Sequence, residues 1–270
     1  MGRLSLLRTL GRNCKIWARP VYACAILLIC APYAPAAPLN KTAPFAPGER
    51  LTFALKWSDV PAGRAVMEVL PMETLDGKPA YHFRLSAQSN SFVDVFYKVR
   101  DRIESFAAVD MSRALHFFQK KHEGSSRNTI TIKFDWLNAT AQYSDEDRVK
   151  PPIVIKPGTF DPLSIFYYSR TQELKENEIL EHPVTDGKKC ILGVARVIRR
   201  EKIEVPCGSF DTFLIEPEMK HIRGVFEKKR GAKIWLWVSA DAQRLPIKIV
   251  SEVIIGTFVG ELVMVEKNAV

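Results

Sequence analysis

The side chains with the widest chemical range are five histidines, His82, His116, His122, His182 and His221, and the cysteines Cys190 and Cys207. No two histidines stand at the His-Glu-x-x-His spacing that sets two metal ligands on one helix face. No Cys-x-x-Cys accompanies them, so no metal site is expected. His116 and His122 can flank one hairpin, where lone histidines read as surface or satisfied core residues. Cys207 and His221 can be written as a thiol and its base. Cys14, Cys24 and Cys30 fall in the first 30 residues, which read as a removable leader. That leaves Cys207 one other cysteine, and a cysteine in such a pair reads as bridged or inert. Asp145, Glu146 and Asp147 are consecutive, which places them in a solvated loop rather than in an acid–base pair. There is no Gly-x-Ser-x-Gly elbow and no glycine-rich phosphate loop. The expectation is therefore a chain with no catalytic residue and no cofactor.

Charge says where such a chain works. Its 270 residues carry 39 Lys+Arg against 30 Asp+Glu, a formal charge of +9. Five of the cations, Arg3, Arg8, Arg12, Lys15 and Arg19, precede an apolar run, VYACAILLICA, at 21–31. With Ala34-Pro35-Ala36 behind it, this reads as a signal peptide over 1–36, cut after Ala36. The run is too short for a bilayer span and meets Pro32, Pro35 and Pro38. No transmembrane anchor is expected after cleavage, and neither Cys24 nor Cys30 has the setting of a lipidated cysteine. Removing the leader leaves 34 basic and 30 acidic residues, +4. That is no nucleic-acid footprint. Lys120-Lys121-His122 and Lys228-Lys229-Arg230 read as solvated loops.

The elements are mostly strands. Residues 37–47 are rich in Pro and Ala and read as a tether, with a single β-rich domain over 48–267. Leu51, Phe53, Leu55 and Trp57 alternate with Thr52, Ala54 and Lys56, and Ile130, Ile132, Phe134 and Trp136 with Thr129, Thr131, Lys133 and Asp135. Period two with one apolar face is a half-buried antiparallel strand. Weaker runs follow at 64–73, 80–88, 99–109, 114–121, 190–205, 211–217, 232–239, 245–255 and 257–266. One helix is marked by Asp161 as N-cap and Pro162 at the first position, with Leu163, Phe166, Tyr167 and Arg170 on one face. A lesser helical turn covers Phe92 to Tyr97. So many strands must curl, which predicts a large curved antiparallel sheet, a half-barrel or incomplete barrel, with the helix in its concave face. A hairpin centred on Ile198-Arg199 would set Cys190 opposite Cys207. They are then a disulfide, or else two buried thiols. Gly208 is placed where a turn needs positive φ. Asp241 is expected to hold its own turn's amides, and Arg244 to pair with it at the surface.

The segments Phe45-Ala46-Pro47-Gly48-Glu49-Arg50-Leu51, Gly63-Arg64-Ala65, Asp161–Tyr168, Val205–Phe210 and Trp237–Pro246, followed by Gly256 and Glu261-Leu262, resemble, in this order, the domain-of-unknown-function 3108 family of bacterial envelope proteins. The resemblance spans nearly the whole mature chain. It implies a secreted or periplasmic protein with a fold similar to the half-barrels of lipoprotein carriers, and it supplies no catalytic residue. Cys207 departs from the family, whose loop more usually has a small residue such as Ala.

The aromatic load supplies the functional expectation. Phe53, Trp57, Phe134, Trp136, Phe166, Tyr167, Trp235 and Trp237 lie on strand faces or the helix, mostly as core. Trp235 and Trp237 share one parity while Ile234, Leu236 and Val238 share the other, so one face of that strand can line a cavity or a partner surface. The leading expectation is a periplasmic, non-enzymatic protein that holds a lipid or lipidated protein in a concave sheet face. The alternatives are a structural module docking on another envelope protein and, last, an envelope hydrolase.

Overall fold

The computed structural model describes residues 43–146, 148–218, 233–253 and 256–267. The leader, Asp147, His221 and the run at 228–230 lie outside them. The N-terminal half is a meander of β1 (Glu49–Trp57), β2 (Val60–Leu75), β3 (Lys78–Ser89), β4 (Arg100–Ala108), β5 (Ala114–Glu123), β6 (Ser126–Asp135), β7 (Thr140–Asp145) and the short β8 (Arg148–Val149) and β9 (Ile153–Val154). The C-terminal half is a second meander of β10 (Ile179–Thr185), β11 (Cys190–Val205), β12 (Gly208–Pro217), β13 (Lys233–Ser239), β14 (Pro246–Val253) and β15 (Gly256–Lys267). The pairing of β15 with β1 joins the halves into one antiparallel sheet running from β10 at one edge to β8 at the other, with β9 on β7. The short helices are α1 (Ser91–Asp94) and α2 (Ser164–Arg170).

The expected mainly β fold and the expected helix are present. The sheet is a large open one that does not close into a barrel. Two substantial strands went unread. In β7 only Ala141 and Tyr143 alternate as buried residues among polar neighbours, and β10 carries Pro183, tolerable because that strand is an edge.

The Cys190–Cys207 hairpin is overturned. Residues 190–205 form one continuous strand, and the expected turn at Ile198 is a register shift between Val197 and Arg199, a bulge. The cysteines fall at opposite ends of that strand and both are free thiols. Cys190 instead faces Thr185 across the sheet, with its Sγ 3.5 Å from Thr159 Oγ1. The tether reading also stops short. Phe45 is buried against Tyr81, Phe83 and Tyr167, all edge-on at 5.2–5.5 Å, so packed chain begins ahead of Gly48.

Helix α2 lies on the concave face. Tyr167 stacks on Phe83 with ring centroids 3.8 Å apart and donates its hydroxyl to the Glu68 carbonyl. Asp161 performs the capping expected of it: its Oδ1 accepts the Leu163 and Ser164 amides and its carbonyl the Ile165 amide. Its Oδ2 accepts the hydroxyls of Ser164 (2.5 Å) and of Ser105 on β4 (2.6 Å), so the cap also rivets helix to sheet. Burial pushes this carboxyl upward against those four donors.

Candidate functional site

Because paired residues of an antiparallel sheet share a face, the register defines rungs across the concave surface. The rung Val69, Phe83, Ser105, Phe117, Ile132 and Tyr143 is wholly buried, under α2 and its cap at Phe83 and Ser105 and under the Gly187 turn at Ile132 and Tyr143. The next, Met67, Leu85, Ile103, Gln119 and Ile130, is part buried and part half-exposed. In the third rung Phe53 stays buried, while Ala65, Ala87, Asp101, Lys121 and Asn128 are half-exposed. The fourth, Leu55, Gly63 and Ser89, is half-exposed throughout. At the rim Trp57 and Phe258 stack at 6.2 Å and face solvent. The concave surface is thus plugged at one end and becomes a trough toward the other. Gly63, Ala65 and Ala87 give that trough a floor of small side chains between the larger Leu55, Leu85 and Ile103. At Gly63 the close approach is made by β3 itself, since a β-carbon there would come 2.1 Å from the Gln88 carbonyl oxygen.

One wall is polar. Asp101 Oδ1 accepts the His122 amide (3.0 Å), and Lys121 Nζ lies 3.5 Å from Glu123. Burial, with the Glu123 charge adding to it, pushes the Asp101 carboxyl up to about 6 against the His122 amide and Lys121.

The plugged end is held by a buried ion pair that no local signal revealed. Arg170 Nη1 and Nη2 reach Glu49 Oε1 and Oε2 at 2.6 and 3.0 Å, with both side chains almost wholly buried. The same guanidinium donates to the Gln243 carbonyl and lies over the rings of Phe45 and Tyr167. Outside this plug is a cleft of about 820 Å³ whose walls include Phe45, Met72, Tyr81, Gln243 and Lys267.

The structure does not gather the eight aromatics into one groove. Phe53 and Tyr167 are core, and half-buried Phe166 touches both apolar clusters. Phe134 and Trp136 stack at the plugged end, where Trp136 Nε1 donates to the Ala114 carbonyl. Trp57 alone marks the open rim. Trp235 and Trp237 are corrected: Ile234, Leu236 and Val238 take the buried parity, so the tryptophans sit on the outer face. There Lys233 and Lys248 ammonium groups lie over them and Glu201 accepts the Trp237 indole hydrogen. The polar ends of long side chains explain how a strand apolar on both faces meets water. Gly208 has φ of 130°, as its turn requires. Asp241 accepts the Gln243 amide, but Arg244 donates to the carbonyls of Ala240 and Asp241 rather than to the carboxylate.

Among the described residues no three His, Cys, Asp or Glu side chains converge as a metal would need. The nearest approach to a cluster is His82, 2.7 Å from Glu73 and 3.5 Å from Glu104 on the outer face. Burial raises Glu104, but donors from Arg102 and Arg84 outweigh it and hold the carboxyl low. That is a charge network of the sheet surface. No helix among the described residues is long and apolar enough to cross a membrane.

These features define a class: an open, barrel-like antiparallel β protein plugged at one end by a short helix. The chain belongs to the DUF3108 family, described as a protein of unknown function, which it matches over residues 52–263. No curated protein matches it. Among solved structures it is similar to a beta-barrel-like protein of domain of unknown function DUF1849 from Brucella abortus. The TM-score is 0.54 at 10% identity, covering 82% of this chain and 98% of that one. A putative lipoprotein from Parabacteroides distasonis aligns at TM-score 0.34 and 11% identity, over 82% of this chain and 95% of its own.

Proposed function

We infer that this is a non-enzymatic binding protein of the cell envelope that holds an apolar ligand, an acyl chain or the lipid of a lipidated protein, in the trough between α2 and the open rim. The observation that carries this reading is the gradient of burial along the concave rungs, from sealed at Phe83 to open at Trp57. Leu55, Leu85, Ile103 and Ile130 remain half-buried apolar walls that an apolar occupant would cover. Each methylene so buried contributes about 0.8 kcal/mol. The signal-like leader supports an envelope location.

The alternative of a structural module docking on another envelope protein has less support, because the outer tryptophans already have lysine and glutamate partners and the sheet edges are a Pro-containing β10 and a two-residue β8.

Mass spectrometry of lipid extracted from purified protein, with displacement of a fluorescent fatty acid, tests the ligand. Ala87→Trp, which fills the trough, should weaken displacement by at least about tenfold. Met72→Glu, in the cleft outside the plug, should leave it unchanged. The opposite pattern would move the site to that cleft. No copurified lipid and no displacement would remove the ligand altogether.

A further inference from the structure

Among the described residues, the largest run of exposed apolar side chains is the connection between β3 and β4. Phe92, Val95, Phe96 and Tyr97 are 61, 76, 77 and 52% exposed. Such residues gain nothing from folding as they stand, and contiguous patches of this kind on soluble proteins mark contact surfaces.

The segment is held rigidly in that exposed position. The Asn90 side chain caps the Val93 amide (2.9 Å) and donates to the Pro61 carbonyl (2.7 Å). Arg100 grips Asp94 through two nitrogens at 3.0 and 2.6 Å, and Ser89 Oγ bonds the same carboxylate. Tyr97 lies so close over Gly124 that a β-carbon there would come within 2.9 Å of its ring. Phe92 and Phe96 meet edge-on at 5.8 Å. The turn sits at the open end, since its Asn90 amide bonds the Ala62 carbonyl beside the β1–β2 turn. Trp57 and Phe258 belong to the same rim.

Charge surrounds this tip. Exposed Lys98, Arg64 and Arg127 have no carboxylate partner among the described residues, whereas Lys56 and Arg100 are paired with Glu261 and Asp94. Acids stand there too, Glu123 and Asp101 beside Tyr97 and Asp59 beside Lys56. Lys98, Arg64 and Arg127 are left over, and an aromatic tip flanked by such exposed cations fits the headgroup region of an anionic bilayer. A protein groove is the poorer fit. Helix-in-groove docking uses anchors repeated over two or more turns, and α1 offers a single turn.

We propose that the Phe92–Tyr97 turn, with Trp57 and Phe258 beside it, is the surface by which this protein seats itself on an anionic lipid bilayer. The proposal stands apart from the ligand reading, although seating would place the trough's mouth against a source of apolar chains.

Flotation with vesicles of phosphatidylcholine alone and of phosphatidylcholine mixed with phosphatidylglycerol tests it. Wild-type protein should float with the mixed vesicles, less so as salt rises. Phe92→Ser/Phe96→Ser should reduce this by at least about tenfold. Leu137→Ser, at a still more exposed apolar residue in the β6–β7 turn at the other end, should change nothing. Absence of wild-type flotation on either vesicle overturns the proposal, as does undiminished flotation of the double variant. A photocrosslinker at position 96 that captures one protein in cells, with no flotation, assigns the surface to a protein instead. The two readings fail separately: Ala87→Trp should keep flotation while losing the fatty acid, and the double serine variant should do the reverse.

Discussion

Arg170 and Glu49 show how much a single contact decides at the plugged end. Removing both charges from water is costly, and their two-pronged geometry with the Gln243 carbonyl offsets that cost. Arg170→Met leaves Glu49 buried without its cation, so the loss should be about 3–5 kcal/mol by urea unfolding. Replacing both, Glu49→Leu with Arg170→Met, should recover most of it. A single-variant loss below about 1 kcal/mol would mean water reaches the pair. Asp101 gives a second, pH-dependent test. Its carboxyl is harder to ionise folded than unfolded, about 6 against the ordinary 3.8. The folded chain is therefore favoured while Asp101 is protonated. That contribution is complete below the ordinary carboxylate range and is lost as pH rises through about 6. Asp101→Asn should raise Tm at pH above 7 and flatten the Tm profile between about pH 4 and 6. An unchanged profile would show that Asp101 is solvated. The sequence places Arg170 on a helix face and Glu49 at the start of a strand but does not join them, because a partner 121 positions away leaves no local trace.

Among elements, those with strict alternation were legible and those set by long-range pairing were not. Leu51, Phe53, Leu55 and Trp57 announce β1 because its two faces meet different environments, and Asp161-Pro162 announces α2 through a cap that needs only near neighbours. The bulge at Ile198 has no such chemistry: Arg199-Arg200 interrupt the pattern, yet β12 pairs on both sides of the shift. The run at 190–205 is β11 and is legible, whereas β10 is not, although the tip between them matters to the whole sheet. Gly187 has φ of 80°, and a β-carbon there would come 2.9 Å from Ile132 and 3.1 Å from Tyr143 of the opposite half. The adjacent Lys188 ammonium lies over the Tyr143 ring. Gly187→Ala should therefore strain the turn and lift the tip from Tyr143, with a loss above about 1 kcal/mol. Hydrogen exchange should show protection lost in Ile179–Thr185 first. Uniform loss across the sheet would show that this tip is not an independent contact.

At the scale of the molecule, the controlling feature is that the first and last strands meet. Curvature and one-sided burial were readable from the number of amphipathic strands and the presence of one strong helix. Which strands border each other was not, because β1 and β15 carry ordinary alternation and nothing local names their partner. Their pairing joins two meanders through nine matched positions, from Glu49 opposite Lys267 to Trp57 opposite Phe258. Lys56, Glu261 and Lys248 then tie β1, β15 and β14 together at 2.8 and 2.9 Å. Contacts this distant in sequence form late and close a large loop, so each half must wait with an unpaired edge. A chain ending at Val253 would leave β14 and β1 as facing open edges and would remove Leu262 from the core. It should be recovered as aggregate, and a peptide spanning 256–267 added during refolding should restore soluble, cooperatively unfolding protein. A truncated chain that folds alone to a soluble monomer would mean the N-terminal meander and its helix close without β15. The sheet would then be two independent halves rather than one cooperative unit.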